Sequence, residues 1–282
     1  MDSKTIIITG GTAGIGLSAA QALAARGHRL ILIGRNKPRG REAIATLPVC
    51  QRGSHRFIPA DLSLIAGARS AIAEIEATEP MIDVLANNAG TWFRHRALTA
   101  DGIERTVAVN HVSYVAMSLG LKRLLLAAPA PRIINTGSFV YRHARYDPAN
   151  LQAERRFSTN ATYAATKLYN LMFTRALARC WAKTGITINC FSPGFVATGF
   201  GRGEGGWLEP YYRFVRLFAI SPERGAEMLI DLAASPHTAL LNGAYLEKGR
   251  VRHVGGVAAD ADQCHELLKW SACLAGFDPA RI

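Results

Sequence analysis

The chain is short of acid, of cysteine and of long apolar runs, and each shortage removes a class of protein. Asp and Glu number 21 against 33 Lys and Arg, a formal charge of +12. Charged residues make up only 19% of the 282 residues and hydrophobic ones 49%, which excludes a disordered chain. That apolar content supplies a full core without disulfides or metals. The five cysteines (Cys50, Cys180, Cys190, Cys264 and Cys273) are odd in number, far apart and without a CxxC pair. They suit a reduced, cytoplasmic protein better than a disulfide framework or a zinc site. The eight histidines form no HExxH and no cluster with cysteine, so a catalytic metal is not expected. No apolar run reaches membrane-spanning length, and strand-like sequence begins at Thr5. Neither a transmembrane segment nor a signal peptide is therefore expected.

What is present is an alternation. Short β-branched runs at Thr5–Thr9, Arg29–Ile33, His55–Ile58, Asp83–Ala86, Arg132–Thr136, Ile186–Phe191 and Ala244–Glu247 read as strands. Between them, helical periodicity covers Leu17–Arg26, a basic stretch after Pro38, Ser63–Glu79 with Ser63 as N-cap, Thr99–Ala127, Thr162–Lys183 and Glu223–Ala234. A last helix is expected from Ala261. Such alternation implies parallel βαβ units with right-handed crossovers, hence an α/β fold: a doubly wound, mostly parallel sheet with helices on both faces. No linker interrupts it, so residues 1–282 read as a single domain. Two stretches, 139–160 and 199–221, do not fit the alternation. Both follow strand ends at the edge where doubly wound sheets bind ligands, and they read as functional loops.

The first strand runs into Gly10-Gly11-Thr12-Ala13-Gly14-Ile15-Gly16 and then directly into a helix. Glycines there let the backbone turn tightly and approach a pyrophosphate, whose charge a helix N-terminus stabilises. The spacing is GxxxGxG rather than GxGxxG, and a glycine turn can also serve only to join strand to helix. Just past the second strand, where an acid would bind the ribose 2′-hydroxyl of NAD, stands Arg35, followed by Lys37, Arg39 and Arg41. Arginine can pair bidentately with a 2′-phosphate, which favours NADP(H) over NAD(H). Solvated positions on a surface helix account equally for Arg39 and Arg41. Tyr163 and Lys167 stand four apart on a predicted helix and share a face. A neighbouring ammonium favours the phenolate, so this spacing predicts a tyrosine pKa lowered toward the working range of an acid–base catalyst.

These segments, in this order, resemble the short-chain dehydrogenase/reductase family. Thr9 through Gly16 is similar to its TGxxxGIG turn; Asp61-Leu62 matches its adenine-side pair; Asn87-Asn88-Ala89-Gly90 matches its NNAG. Asn110 falls at its active-site asparagine, Ser138 closes a TGS after the fifth strand, and Tyr163 through Lys167 is its YxxxK. Ser192-Pro193-Gly194-Phe195-Val196-Ala197-Thr198 resembles the segment that meets the nicotinamide. Together the tags span roughly residues 5–250. Within the family the chain resembles the retinol-dehydrogenase and protochlorophyllide-reductase-like branch, through DGIERTVAVNH, the long gap from Ser138 to Tyr163, and SPERGAE. It departs in having Gly137-Ser138 where a double serine is usual, and in lacking the N-terminal anchor of the branch's membrane-bound members.

The resemblance implies a single-domain Rossmann fold and hydride transfer between nicotinamide C4 and a carbonyl carbon. It makes Tyr163 the acid–base group, Ser138 the hydrogen-bond partner of the reacting oxygen, Lys167 also a ligand of the nicotinamide ribose, and Asn110 the holder of a relay water. The lesser alternative for Asn110 is a polar residue bonding a helix backbone. The implied cofactor contacts are Gly10, Thr12, Gly14, Ile15, Gly16, Arg35, Asp61, Leu62, Asn88, Ala89, Gly90, Tyr163, Lys167, Pro193, Gly194, Val196 and Thr198. The family's assemblies make a homodimer or homotetramer the expected oligomer. Reduction of an activated C=C bond on the same scaffold, and an NADP(H)-binding sensor without turnover, are the alternatives.

The substrate is expected to be a bulky, largely apolar carbonyl compound or alcohol. Trp207, Leu208, Tyr211, Tyr212, Phe214, Val215, Leu217 and Phe218 read either as a lid over it or as helix core. Arg142, His143, Arg145, Arg155 and Arg156 suit an anionic or carrier-bound substrate, or simply solvated loop charges. The overall basic balance invites a nucleic-acid reading, but no recognition motif accompanies it, and no nucleic-acid partner is expected. Nine Lys and Arg against two Asp and Glu stand in the first sixty residues, where the phosphate reader would lie.

Overall fold

Runs of Ile, Leu and Val make strands whose side chains enter apolar surroundings on both faces of one sheet. The structure is a computed structural model that describes residues 3–196 and 220–282. Strands β1 (Thr5–Thr9), β2 (Arg29–Gly34), β3 (Arg56–Pro59), β4 (Val84–Asn87), β5 (Arg132–Thr136), β6 (Thr187–Ser192) and β7 (Tyr245–Glu247) run parallel. Their order is β3-β2-β1-β4-β5-β6-β7, and β8 (Arg250–Arg252) closes the edge antiparallel to β7. The sequence pattern does not mark β8. It folds back over Lys248 and Gly249, both at positive φ (51° and 73°), which is the geometry of a tight hairpin turn.

Helices cover both faces: α1 (Gly14–Ala25), α2 (Lys37–Ala45), α3 (Ile65–Thr78), α4 (Arg105–Val107), α5 (Ser113–Gly120), α6 (Lys122–Leu126), α7 (Thr159–Cys180), α8 (Pro222–Ala234) and α9 (Ala261–Leu274). Successive strand residues divide between two cores. Ile6, Ile8, Leu30, Leu32, Val84 and Ala86 pack with α1 and α8. Ile7, Ile31, Ile33, Leu85, Ile133 and Ile188 pack with α3, α5, α7 and α9. Among the described residues no helix is long and apolar enough to cross a membrane.

Two expected boundaries move, each for a visible reason. The helix expected from Ser63 begins two residues later, with Leu64 at its N-cap. Ser63 instead donates its hydroxyl to Asp61 Oδ1 at 2.7 Å, and Asp101 Oδ2 accepts from the Ile65 N–H at 2.9 Å. The tract expected from Thr99 starts at Arg105. Before it the chain reverses: Leu98 bridges Glu104, Gly102 sits at φ +73°, and the Glu104 carboxylate caps α4 by accepting from the Val107 N–H at 2.9 Å. A π turn, Ala108–Val112, then carries Asn110 between α4 and α5. Such turns often occur at functional sites. Strand order reverses at β1 and β4, so their C-terminal ends open the crevice where a doubly wound sheet takes a ligand.

Candidate active site

The glycine turn occupies that crevice. Gly10 and Gly14 have φ of +65° and +53°, and a Cβ on Gly10 would lie 2.9 Å from the Ala89 Cα. Side chains brace the turn from beneath: Thr9 Oγ1 accepts from the Asn88 and Ala89 N–H groups at 2.8 and 3.0 Å, and Asn88 Nδ2 donates to the Thr9 carbonyl at 3.0 Å. Gly16 packs so closely that a Cβ would reach 2.4 Å from the Gly10 carbonyl oxygen. The N-terminus of α1, beginning at Gly14 and Ile15, has neither a side-chain cap nor an acid in its first turn. Its leading N–H groups therefore fit an anionic group such as a pyrophosphate. Thr12 lies against Gly34 at the end of β2. Asn88 and Ala89, just past β4, lie against the glycine turn, with Gly90 next in the chain.

On the β5–β6 side the structure brings Ser138, Tyr163 and Lys167 together. Ser138 leaves the end of β5; Tyr163 and Lys167 lie one turn apart on α7. Tyr163 is half-buried and hydrogen-bonded to Ser138, and the Lys167 ammonium is 5.4 Å from its ring centroid. Lys167 is buried, donates to the Thr136 carbonyl at 3.0 Å, and is pushed down by desolvation to about 8. The expected lowering of the tyrosine pKa is not what this environment gives. Loss of water around Tyr163 pushes it up, and the Ser138 hydrogen bond is the opposing influence.

Gly137, the departure from a double serine, has a steric reason. A Cβ there would meet Cys190 Sγ at 2.7 Å and the Phe191 carbonyl at 3.2 Å. Cys190 fills that space as a buried thiol, pushed up to about 12 by desolvation and so chemically quiet. Ser192 at the end of β6 accepts from the Phe139 N–H at 3.1 Å and the Gly194 N–H at 3.4 Å. It thereby ties the Ser138 loop to the Pro193-Gly194 turn. Val196 reaches over α1: a Cβ on Gly225 of α8 would stand 2.7 Å from Val196 and 3.2 Å from Ile15. Thr198 and the aromatic stretch from Trp207 to Phe218 lie outside the described residues.

Asn110 is fully enclosed and its amide is committed to protein. Its Oδ1 accepts from the Thr91 N–H at 2.8 Å; its Nδ2 donates to the Thr91 carbonyl at 2.8 Å and to Thr166 Oγ1 at 3.2 Å. The side chain clips the loop after β4 onto α7. Its own carbonyl accepts from Asn170 Nδ2 at 2.9 Å. Asn170 Nδ2 also reaches the Thr136 carbonyl at 3.3 Å, while Asn170 Oδ1 meets His111 Nδ1 at 3.0 Å. His111 Nε2 in turn lies 2.7 Å from Ser271 Oγ on α9. Burial lowers His111 to about 4.

The β2–β3 side is open by contrast. A cavity of about 250 Å³ is lined by Arg35, Asp61, Ser63, Phe93, Thr99 and Arg105, among others. Leu62 is buried and Arg35 is exposed. Asp61 Oδ1 accepts from the Ser63 N–H at 3.0 Å as well as from its hydroxyl.

A family model for short chain dehydrogenases matches residues 4–207. The chain belongs to the short-chain dehydrogenase/reductase family. It is 34% identical over 282 residues to DnrU of Streptomyces sp. (strain C5), provisionally named a daunorubicin C-13 ketoreductase, covering all of this chain and 95% of that one. It is 30% identical over 290 residues to retinol dehydrogenase 14 of Mus musculus, covering 98% and 87%. Among solved structures, the Pseudomonas aeruginosa RhlG/NADP active-site complex superposes with a TM-score of 0.67 at 25% identity, over 88% of this chain and 95% of that one. This member of the family is thus an oxidoreductase with retinol-dehydrogenase-like relatives.

Motif reading finds most of the groups around this dehydrogenase's crevice and misses those supplied by chain reversal. Phe93 and Arg105 reach the cavity through the loop after β4 and its bridge to Glu104. Ser271 reaches the site only because α9 packs on α7. No spacing in the sequence announces either contact.

Proposed function

We propose that the protein is an NADP(H)-dependent oxidoreductase that interconverts a ketone or aldehyde and its alcohol. The observation that carries the reading is the Tyr163–Ser138 hydrogen bond beside the buried Lys167, across the crevice from the uncapped α1 N-terminus. A nicotinamide dinucleotide, when bound, supplies or accepts the hydride. Tyr163, kept protonated by its dry surroundings, donates a proton to the substrate oxygen in reduction. Ser138 holds that oxygen, and the Lys167 ammonium steadies the negative charge left on the phenol. Asn110 shapes the wall, and any relay runs through its carbonyl, since its amide is engaged. Gly10, Gly14, Ile15 and Gly16 cradle the pyrophosphate; Arg35 faces the 2′-phosphate. The named activities of a ketoreductase relative and a retinol dehydrogenase relative support a bulky, apolar carbonyl substrate. The NADP-bound neighbour supports the cofactor choice.

The test is NADPH consumption by the purified protein across apolar ketones, aldehydes and quinones, with products identified. An alcohol formed at the expense of the carbonyl is the expected outcome. A saturated carbonyl formed from an enone, or NADPH binding without turnover anywhere in the series, counts against it.

A further inference from the structure

Beside Arg35 the open cavity contains a second guanidinium. Arg105, at the start of α4, stands over the ring of Phe93, with its guanidinium carbon 3.7 Å from the ring centroid. Phe93 is nine-tenths buried and Arg105 half-buried. The Leu98–Glu104 bridge and the Arg105 N–H bond to the Ala97 carbonyl (3.0 Å) fix the backbone from which the side chain projects. None of the ion pairs among the described residues includes Arg35 or Arg105. The one carboxylate of the cavity, Asp61, already accepts two bonds from Ser63. Two guanidiniums thus face one space that holds a single carboxylate, and the net positive lining is complementary to an anion.

A guanidinium stacked on an aromatic face keeps its N–H donors at its edge, free for bidentate pairing with a phosphate. Arg35 is exposed, so its interactions are screened by salt and it must be ordered when a ligand binds. Arg105 is held in place before any ligand arrives, so it loses less freedom on binding. We infer that Arg105, held by Phe93, is a second ligand of the cofactor 2′-phosphate, so that preference for NADP(H) comes from a two-arginine clamp rather than from the residue after β2 alone. The inference rests on the reading that a nicotinamide dinucleotide lies across this edge.

Direct binding of NADPH and NADH, followed by nicotinamide fluorescence with the full chain, tests it because the two ligands differ only by that phosphate. Arg105→Leu is expected to weaken NADPH about 10- to 100-fold and NADH by no more than about twofold, the effect of removing a charge-assisted pair. Arg105→Lys, which keeps the charge and loses the fork, falls between. It also carries the test if the leucine variant fails to fold. Arg35→Leu combined with Arg105→Leu brings the two affinities together. Equal losses for both ligands would make Arg105 a stacking wall only, and no loss would remove it from the site; either overturns the inference. Wild-type protein that binds NADPH and NADH equally well overturns the clamp yet keeps the dinucleotide reading. Wild-type protein that binds neither removes both.

Discussion

The two ends of the crevice are built by opposite means. At the β5–α7 end, Ser138, Lys167, Asn110 and Asn170 are buried and tied to named partners. At the β2–β3 end the two arginines that face the cavity, Arg35 and Arg105, are at least partly exposed and enter none of the ion pairs among the described residues. A buried, hydrogen-bonded group is held to a few tenths of an ångström and can have its proton affinity shifted by several units, which acid–base chemistry requires. A charged residue at an open rim cannot be tuned in that way, but it can select among ligands by charge. On the proposed function, the difference separates a region that would set rate from one that would set affinity.

The sharpest way to break this division is Tyr163→Phe. Turnover should fall about 10²- to 10⁴-fold, the usual worth of an acid–base group, while NADPH affinity stays within about twofold. A variant with near-normal kcat, or one that loses cofactor affinity to the same degree, would erase the distinction between the two ends.

Burial at the chemical end can be measured separately. His111 falls from 6.5 to about 4, so the folded protein holds it neutral where the unfolded chain binds a proton. Its contribution is complete above about pH 6.5 and is lost as pH falls toward 4. In His111→Gln the stability–pH curve should be flatter than wild type in that window, by up to about 1.4 kcal/mol per pH unit. Parallel curves from chemical denaturation would show that His111 does not feel the dry interior.

Packing gives the smallest expected effect. Gly137→Ser restores the family's double serine but drives a Cβ toward Cys190 Sγ, and should cost about 1–3 kcal/mol in unfolding free energy. Adding Cys190→Ala should recover most of it, because the two sites share one space. Additive losses in that double-mutant cycle would mean that the Gly137–Cys190 pair does not explain the departure.

The same division governs what could be read from the sequence. The strands were legible because both faces of the sheet are buried, so TIIIT and RLILI carry unbroken apolar runs, 6–8 and 30–33, instead of an alternation. Ser138, Tyr163 and Lys167 were legible because their segments resemble the family's TGS and YxxxK, and because Tyr163 and Lys167, four apart, share one helix face. The Gly137–Cys190 pair was not, since one residue follows β5 and the other lies in β6. Arg105 and Phe93 meet only because the chain reverses between Leu98 and Glu104. Asp101 displaced Ser63 from its capping role from another segment altogether. In each case the deciding partner is distant in sequence, and local pattern has no access to it.

One consequence follows from the amide of Asn170. Because its Nδ2 faces two carbonyl oxygens, those of Asn110 and Thr136, its Oδ1 must be the atom turned to His111. An acceptor there requires a hydrogen on Nδ1, which leaves Nε2 of the neutral ring as a lone pair. Ser271 must then donate to His111 rather than to its other acceptor, the Leu267 carbonyl at 2.7 Å. If the ring takes a second proton, only the last link turns round: Nε2 donates to Ser271, and Ser271 donates to Leu267. A carbonyl at the end of β5 thus sets the direction of a hydroxyl on the final helix, three side chains away.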